Sequence, residues 1–337
     1  MTAVDSDVCV VGAGPVGLFS VFACGQLGMR CAVIDALADP GGQLVALYPE
    51  KPIYDIPGRA EIHAGGLVDD LLAQAAPYAP EYLLGHTAAD LTQDADGVFT
   101  ISTDRGAEIR CRAVLIAAGV GAFRPKRPPL AGVDAYEDVS VFYHVARLER
   151  FRGARVVIAG GGDSAVDWAL SLAEVAASVT VVHRRETFRA HPDSVARMKA
   201  DPRIALKAPF QLAGLEGDGD ALSAVRVGRI GGGEERLEAD ALVALFGLEG
   251  DLSALDAWGV APRKKTIPVD RATCETARAG VFAVGDVADY PGKLKLILTG
   301  FSDAAMAARA AFPRVFPDRA LRFEHSTSRG APTALTA

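Results

Sequence analysis

The 337-residue sequence has few cysteines and no excess of positive charge, and each deficit excludes a class of protein. Its five cysteines form no Cys-x-x-Cys pair and no Cys/His metal-binding spacing, and their odd number argues against a disulfide framework. The formal net charge of -7 disfavours a general nucleic-acid-binding protein. We therefore expect reduced structural thiols, no metal site and no nucleic-acid partner.

Apolar residues are abundant, but no run of them is long enough to cross a membrane. The stretch 113–123 contains two glycines and falls well short of the roughly 18 residues that a transmembrane helix needs. The N-terminal segment carries aspartates and no lysine or arginine before its first apolar run, which is the wrong charge for a secretion signal. We expect no membrane contact and a cytoplasmic location.

The pattern of apolar runs predicts an α/β protein with two nested, three-layer Rossmann-like domains. A strand-helix-strand unit begins near residue 7 and another begins near residue 155. The length suits roughly two domains. We predict one domain from residues 1–117 plus 245–337, with residues 118–244 inserted into it through the proline-rich crossing that begins after Gly119. Further predicted elements are strands over 97–103, 108–116, 241–246 and 280–286, and a helix over 300–311.

The first unit contains a dinucleotide-binding fingerprint, Gly12-x-Gly14-x-x-Gly17, with Pro15 opening the helix. Glycine permits the tight turn and close backbone approach to a pyrophosphate, while the helix N-terminus receives the negative charge. Asp35 ends the next predicted strand, about 20 residues further on, where a carboxylate can accept hydrogen bonds from a ribose diol. The alternative is a glycine-rich turn in an ordinary α/β unit.

The second unit repeats the fingerprint but not the acid. Gly160-x-Gly162-x-x-Ala165 keeps the cradle, with Asp163 and Ser164 inside it, whereas basic residues stand where the acid would be. Guanidinium groups bind phosphate bidentately and a carboxylate would repel a 2'-phosphate, so this site favours NADP over NAD. The alternative is a solvated basic helix start. The candidate NADP-binding residues after the second strand are His183, Arg184, Arg185 and Arg189.

Two dinucleotide sites of opposite ribose chemistry predict two different dinucleotides in one chain. A flavin paired with a nicotinamide satisfies this requirement, because the two cofactors exchange a hydride directly. No general acid or base is then needed, so we expect no Ser/His/Asp triad and no catalytic pair of carboxylates.

Four segments together resemble the thioredoxin-reductase-like ferredoxin-NADP reductases, and the resemblance runs from Asp7 to about Arg329. They are Gly41-Gly42-Gln43-Leu44-Val45-Ala46-Leu47-Tyr48-Pro49-Glu50-Lys51, His183-Arg184-Arg185-x-x-Phe188-Arg189-Ala190-His191, the Gly285-Asp286 strand end and His325-Ser326-Thr327-Ser328. The resemblance implies a homodimer with one FAD per chain, reduced by NADPH and passing electrons to ferredoxin. The implied FAD contacts are Asp35 (ribose), Gln43 and Thr327 (flavin), Tyr48 (stacked on one flavin face), Ala88 (adenine), Phe123 (beside the cofactor) and Asp286 (ribityl and pyrophosphate), with His325 or Ser326 covering the other flavin face.

The missing dithiol separates this sequence from thioredoxin reductases. Those enzymes place Cys-x-x-Cys shortly before the second glycine motif, but the corresponding stretch here, residues 140–145, has no cysteine. Reduced flavin must then pass electrons directly to an external acceptor. Ferredoxins are usually acidic, so two basic clusters are docking candidates: Arg124, Lys126 and Arg127, and Arg314, Arg319 and Arg322.

The sequence leaves the physiological acceptor open. The rival enzyme is an NADPH diaphorase that reduces a quinone, flavodoxin or iron compound, and flavodoxin is also a conceivable partner of a ferredoxin reductase. The rival from another class is a flavin-binding redox sensor without turnover. The second phosphate cradle and its arginines argue against the sensor.

Overall fold

The computed structural model describes residues 3–263, 265–322, 325, 327, 332 and 333. Within them the chain divides into two compact units, one formed by residues 1–123 and 250–337 and the other by residues 124–249. These boundaries lie a few residues after the predicted ones, 117/118 and 244/245, and each falls within a short strand, residues 122–125 and residues 248–251.

The described helices and strands alternate along much of the chain, as the apolar pattern predicts. The helices are α1 (Pro15–Gln26), α2 (Gln43–Leu47), α3 (Ala64–Ala75), α4 (Asp163–Leu172), α5 (Pro192–Ala200) and α6 (Ile297–Val315). The strands are β1 (Ala3–Asp5), β2 (Val8–Val11), β3 (Cys31–Asp35), β4 (Pro52–Ile53), β5 (Ile62–His63), β6 (Glu81–Leu84), β7 (Ala88–Gln93), β8 (Phe99–Thr103), β9 (Glu108–Cys111), β10 (Ala113–Ile116), β11 (Ala122–Pro125), β12 (Val141–Phe142), β13 (Arg155–Ala159), β14 (Ser178–Val182), β15 (Ile204–Lys207), β16 (Phe210–Asp218), β17 (Ala221–Arg229), β18 (Glu234–Glu238), β19 (Ala241–Ala244), β20 (Leu248–Asp251), β21 (Ile267–Pro268), β22 (Val281–Ala283) and β23 (Ala288–Asp289).

The first unit is built around a parallel sheet with strand order β22-β10-β2-β3-β6. Its central strands are buried on both faces, which suits the uninterrupted apolar runs Val8–Val11 and Ala113–Ile116. A second sheet of order β1-β9-β8-β7 packs beside it through a shared apolar cluster that includes Phe99, Ile101 and Trp258. The carboxyl ends of β2, β3, β10 and β22 therefore meet along one edge of the parallel sheet.

The prediction of one strand over residues 108–116 is wrong. Two strands occupy this stretch: β9 belongs to the four-stranded sheet and β10 to the parallel sheet. The chain changes sheets at Arg112, whose amide donates to the carbonyl of Asp7. Periodicity indicated extended backbone correctly, but it does not say which sheet an extended segment joins.

The second unit contains a parallel sheet of order β12-β19-β13-β14-β15. An antiparallel sheet, β16-β17-β18, packs against it through a cluster that includes Val157, Val225 and Leu242. The order β19-β13-β14-β15 matches the order β10-β2-β3-β6 of the first unit, so each glycine motif follows the corresponding strand of its own sheet.

Candidate functional site

A cavity of about 540 Å³ lies in the first unit at the carboxyl ends of its parallel strands. Residues directly after β2, β3, β10 and β22 line it, together with the segments 42–44, 86–88 and 251–255. Ligands of doubly wound sheets bind at this edge, where neighbouring connections leave in opposite directions and open a crevice. The volume falls within the usual range for small-molecule sites.

The first glycine motif forms one wall of this cavity, and its glycines are required by close backbone contacts. Gly12 has φ +111°, and a Cβ there would lie 2.4 Å from the carbonyl oxygen of Ala117. A Cβ on Gly17 would lie 1.8 Å from the carbonyl oxygen of Gly12. At Gly14, by contrast, no described atom lies within 4 Å of the position of a Cβ, and α1 begins at the next residue, Pro15. This open space before a helix N-terminus is the shape of a pyrophosphate cradle.

Asp35 lies at the end of β3 and lines the same cavity. Its Oδ2 accepts a hydrogen bond from the Ala13 amide at 2.6 Å, and its Oδ1 accepts one from the Leu37 amide at 2.8 Å. Burial raises the pKa of this carboxyl, while the two amides partly oppose the rise. The carboxylate is thus oriented by backbone and retains acceptor capacity toward the cavity, as a ribose-binding acid requires.

Five further candidate FAD contacts, which the family resemblance supplied, line this cavity although they lie far apart in sequence: Gln43, Tyr48, Ala88, Phe123 and Asp286. Tyr48 is half-buried at the end of α2, and burial raises the pKa of its phenol. A protonated, half-buried ring suits stacking on a flat apolar ligand.

Of the C-terminal candidates, the described residues His325 and Thr327 do not line the cavity. His325 and Thr327 are exposed, and Ser326 lies outside the described residues. Their contact with a flavin face remains a prediction.

The second glycine motif has the same construction as the first. A Cβ on Gly160 would lie 2.7 Å from the carbonyl oxygen of Leu245, directly after β19, just as Gly12 abuts the segment after β10. Gly162 has no described atom within 4 Å of a Cβ position, and α4 begins at the next residue, Asp163. Ala165 is buried, and its Cβ lies only 3.0 Å from the Cβ position of Gly160. The cradle is therefore present, with Ser164 exposed in the first turn of its helix.

The segment after β14 folds back over this motif. The Arg189 amide donates to the Gly161 carbonyl at 2.9 Å, and the His191 amide donates to Asp163 Oδ1 at 2.9 Å. The His183 ring packs on Gly161 and lies 4.8 Å from the Phe188 ring. Asp163 and His183 thus hold the segment in place over the cradle.

The electrostatics of this segment differ from residue to residue. Desolvation and the neighbouring arginines lower the pKa of His183, so its imidazole is neutral near pH 7 and adds no positive charge. The guanidinium groups are exposed, and no carboxylate of a described residue forms an ion pair with them. A concentration of unneutralised cations beside a phosphate cradle suits an additional phosphate group. The cations are Arg184, Arg185 and Arg189.

Sequence reasoning missed part of the cavity wall. The segment 251–255 returns from the second unit and lines the cavity, and so does Lys295. An available signal for the first was the pattern Asp251-x-Ser253, in which Asp251 Oδ1 accepts the Ser253 amide at 2.8 Å and forms a local turn. The repeating Lys-Leu pattern around Lys295 gave no such signal.

Half of the basic residues considered for partner docking are paired with carboxylates. Arg124 pairs with Glu249 at 3.2 Å, and Arg127 pairs with Asp134 and Glu137. Arg314 pairs with Glu275 at 2.9 Å, while Arg319 lies over the Phe316 ring. Lys126 and Arg322 are exposed, so they retain positive charge at the surface.

The described residues contain no candidate metal-binding cluster and no candidate membrane-spanning helix. No group of three or more His, Cys, Asp and Glu side chains in that part of the chain could hold a metal ion. None of the helices described is long and apolar enough to cross a membrane. All five cysteines are buried and free.

Comparison with known proteins places these features in a family. The chain is 53% identical to a ferredoxin-NADP reductase of Rhodospirillum rubrum over 98% of each chain, and 53% identical to one of Acidiphilium cryptum over 98% of each. Among solved structures it is similar to a thioredoxin reductase of T. acidophilum, with a TM-score of 0.78 and 26% identity over 91% of this chain and 98% of the other. Residues 6–311 match the profile of the pyridine nucleotide-disulphide oxidoreductases. The chain belongs to the pyridine nucleotide-disulphide oxidoreductase family.

Proposed function

We propose that this protein is an FAD-containing ferredoxin-NADP reductase, which moves electrons between NADPH and ferredoxin. The observation that carries the proposal is the pair of glycine cradles with opposite partners, an oriented carboxylate at the first and unpaired guanidinium groups at the second. Sequence identity of 53% over nearly the whole chain to two proteins of that name supports the same activity.

The first unit is proposed to hold FAD, and its residues fit that group. Gly14 leaves the space a pyrophosphate needs, Asp35 presents oriented acceptors for a ribose diol, and Tyr48 offers a half-buried ring. Bound FAD supplies the conversion of a two-electron hydride transfer into one-electron steps. The protein's part is to bind, orient and shield the cofactor.

The second unit is proposed to bind NADPH. Gly160 and Gly162 form its cradle, and the arginines of the following segment would receive the 2'-phosphate. A carboxylate is missing from the position that Asp35 occupies in the first unit, so no acid at that position repels this phosphate.

Direct transfer to an external acceptor follows from the state of the thiols. All five cysteines are buried and free, and the sequence has no Cys-x-x-Cys pair. Burial raises the pKa of Cys111 and Cys274 to about 12, so these thiols stay protonated. No protein dithiol is available to relay electrons, which favours a one-electron partner such as ferredoxin, or flavodoxin, over thioredoxin. A homodimer in the cytoplasm is the proposed assembly, on the family resemblance.

The test is anaerobic titration of the purified protein with NADPH and with NADH, followed by ferredoxin-dependent reduction of cytochrome c. Bleaching of a flavin absorbance by NADPH together with cytochrome reduction that requires ferredoxin is the expected result. Bleaching with electron acceptance by quinones alone would identify a diaphorase instead. A flavin that NADPH does not bleach would support the redox sensor and overturn the proposal.

A further inference from the structure

A buried carboxylate on α6 gathers three hydrogen-bond donors from the loop that follows β22. Asp303 Oδ2 accepts the Gly285 amide at 3.0 Å, and Oδ1 accepts the Tyr290 hydroxyl at 2.8 Å. The Lys293 ammonium donates to the same carboxylate. The side chains of Lys293 and Asp303 are only 5% and 4% exposed. One side chain thus fastens both ends of the loop to the helix.

This loop forms part of the cavity wall, whereas Asp303 does not line the cavity. Gly285 and Asp286 line it at one end of the loop, and Lys295 lines it just beyond Lys293. Gly285 has φ +75°, and a Cβ there would lie 3.2 Å from Val16 of α1. Its backbone is therefore confined between α1 and the carboxylate, directly beside Asp286, which lines the cavity.

Burying the Lys293–Asp303 ion pair costs desolvation free energy, and the stability of the fold alone does not require this pair. Desolvation of a buried ion pair often offsets its attraction, so apolar side chains of similar volume would stabilise the fold equally well. Burial and the bond to Asp303 raise the pKa of Tyr290 to about 12, so its hydroxyl remains a donor at physiological pH. Three donors on one carboxylate fix the orientation of the loop relative to α6 more strictly than apolar packing does.

We propose that Asp303 is a positioning residue of the dinucleotide cavity. By holding the Gly285 amide, Asp303 sets the position of Asp286 in the cavity wall. Lys293 balances the buried charge of Asp303. The inference rests on the proposed function in one respect, that the cavity takes FAD. It assigns a role to a residue that touches the cofactor only through its neighbours.

The other end of α6 offers a matched control. Glu275 Oε1 accepts the Gly280 amide at 2.8 Å and pairs with Arg314 at 2.9 Å, so a carboxylate again holds a glycine amide and a cation. Neither Gly280 nor Glu275 lines the cavity. The two clamps have the same chemistry and differ in what they hold.

The test measures the dissociation constant for FAD and the melting temperature of the apoprotein in two double variants. K293M/D303N removes both charges and keeps an oxygen that accepts the Gly285 amide, whereas K293M/D303L also removes the acceptor. We expect the first to bind FAD within about twofold of wild type and the second to bind about tenfold more weakly, with a lower melting temperature because the Gly285 amide loses its buried acceptor. The control E275L/R314M is expected to change the melting temperature but not FAD binding.

Equal FAD affinity in both double variants would overturn the positioning role and leave the proposed function intact. A wild-type chain that does not bind FAD would overturn both. If K293M/D303L does not fold, K293M/D303A replaces it, because the smaller side chain removes the same acceptor of the Gly285 amide without overfilling the site. It is then expected to bind FAD about tenfold more weakly than K293M/D303N, and equal affinity would overturn the proposal.

Discussion

The two parallel sheets present the same cradle in two different settings. In each, the first glycine abuts the backbone that leaves a neighbouring strand, at Ala117 in one unit and Leu245 in the other, and a helix begins directly after the second glycine. The first cradle opens into a cavity of about 540 Å³ lined by an oriented carboxylate. The second lies beside exposed guanidinium groups. A shared cradle provides affinity for a diphosphate, while the neighbouring side chains determine which dinucleotide binds.

The difference also bears on how long each ligand stays. A walled cavity removes most of a ligand's surface from water, which favours a resident cofactor. Exposed arginines bind phosphate strongly but leave it accessible, which favours a substrate that exchanges in every turnover. We therefore interpret the first unit as the holder of the cofactor and the second as the exchanging site.

The largest effect is expected from substituting a glycine of the first cradle. Gly17→Ala forces a Cβ to within 1.8 Å of the Gly12 carbonyl oxygen, and we expect it to lower the free energy of unfolding by about 3 kcal/mol. Gly14→Ala, where the Cβ meets open space, should cost at most about 1 kcal/mol yet weaken FAD binding, because the methyl group occupies the cradle. Urea unfolding and FAD titration of both variants distinguish the two roles. Similar stability of the two variants would contradict the contact geometry.

Removing the arginines tests whether the second site selects its dinucleotide by charge. Replacing Arg184, Arg185 and Arg189 with alanine should lower kcat/KM for NADPH by about tenfold per residue and leave that for NADH within about twofold. Arg203→Ala is the control, because Arg203 is also exposed on this unit but is paired with Asp201 and Glu174. An equal fall for both coenzymes would show that the arginines serve the cradle rather than the 2'-phosphate.

Asp35 ends β3, and His183 directly follows the corresponding strand β14. The two residues should change the stability of the protein with pH in opposite directions. The folded-state pKa of Asp35 is raised above 3.8, so its contribution to stability is present below that value and is lost as pH rises through the folded pKa. The pKa of His183 is lowered from 6.5, so its contribution is present above that value and is lost as pH falls.

Urea unfolding of the apoprotein between pH 7 and pH 4 measures this contrast. On acidification, wild type should gain stability relative to Asp35→Asn and lose stability relative to His183→Gln. The same sign for both pairs would contradict the assigned environments.

The smallest effect is expected from modifying the thiols. Because all five cysteines are buried, and burial or neighbouring groups raise the pKa of Cys9, Cys31, Cys111 and Cys274, iodoacetamide at neutral pH should leave NADPH-dependent electron transfer within about twofold of the untreated rate. Activity before and after alkylation, with mass spectrometry to count modified thiols, checks this. Loss of activity in step with modification of one cysteine would indicate a thiol in the electron path.

The sequence predicted local features better than it predicted how segments distant in the chain pack together. The strand-turn-helix at Gly12 and its repeat at Gly160 follow from residues that lie close together in the chain, so their spacing carried enough information. The split at Arg112 between two sheets was missed, because extended backbone has the same side-chain period in either sheet. The cavity contacts of Gln43, Tyr48 and Asp286 were expected only through the family resemblance, since their own patterns also fit ordinary loop residues.

By itself, the sequence determined the two cradles and the sign of the charge beside each. These depend on glycine's access to close contacts and on which ionisable residue ends a strand, both of which are local properties. Only the tertiary structure decided that segments near residues 12, 48, 88, 253 and 286 enclose one cavity, and that Asp303 fixes its wall from behind. The physical reason is that parallel strands bring their carboxyl ends to one edge whatever their separation in the chain, and that a buried ion pair forms only when packing closes around it.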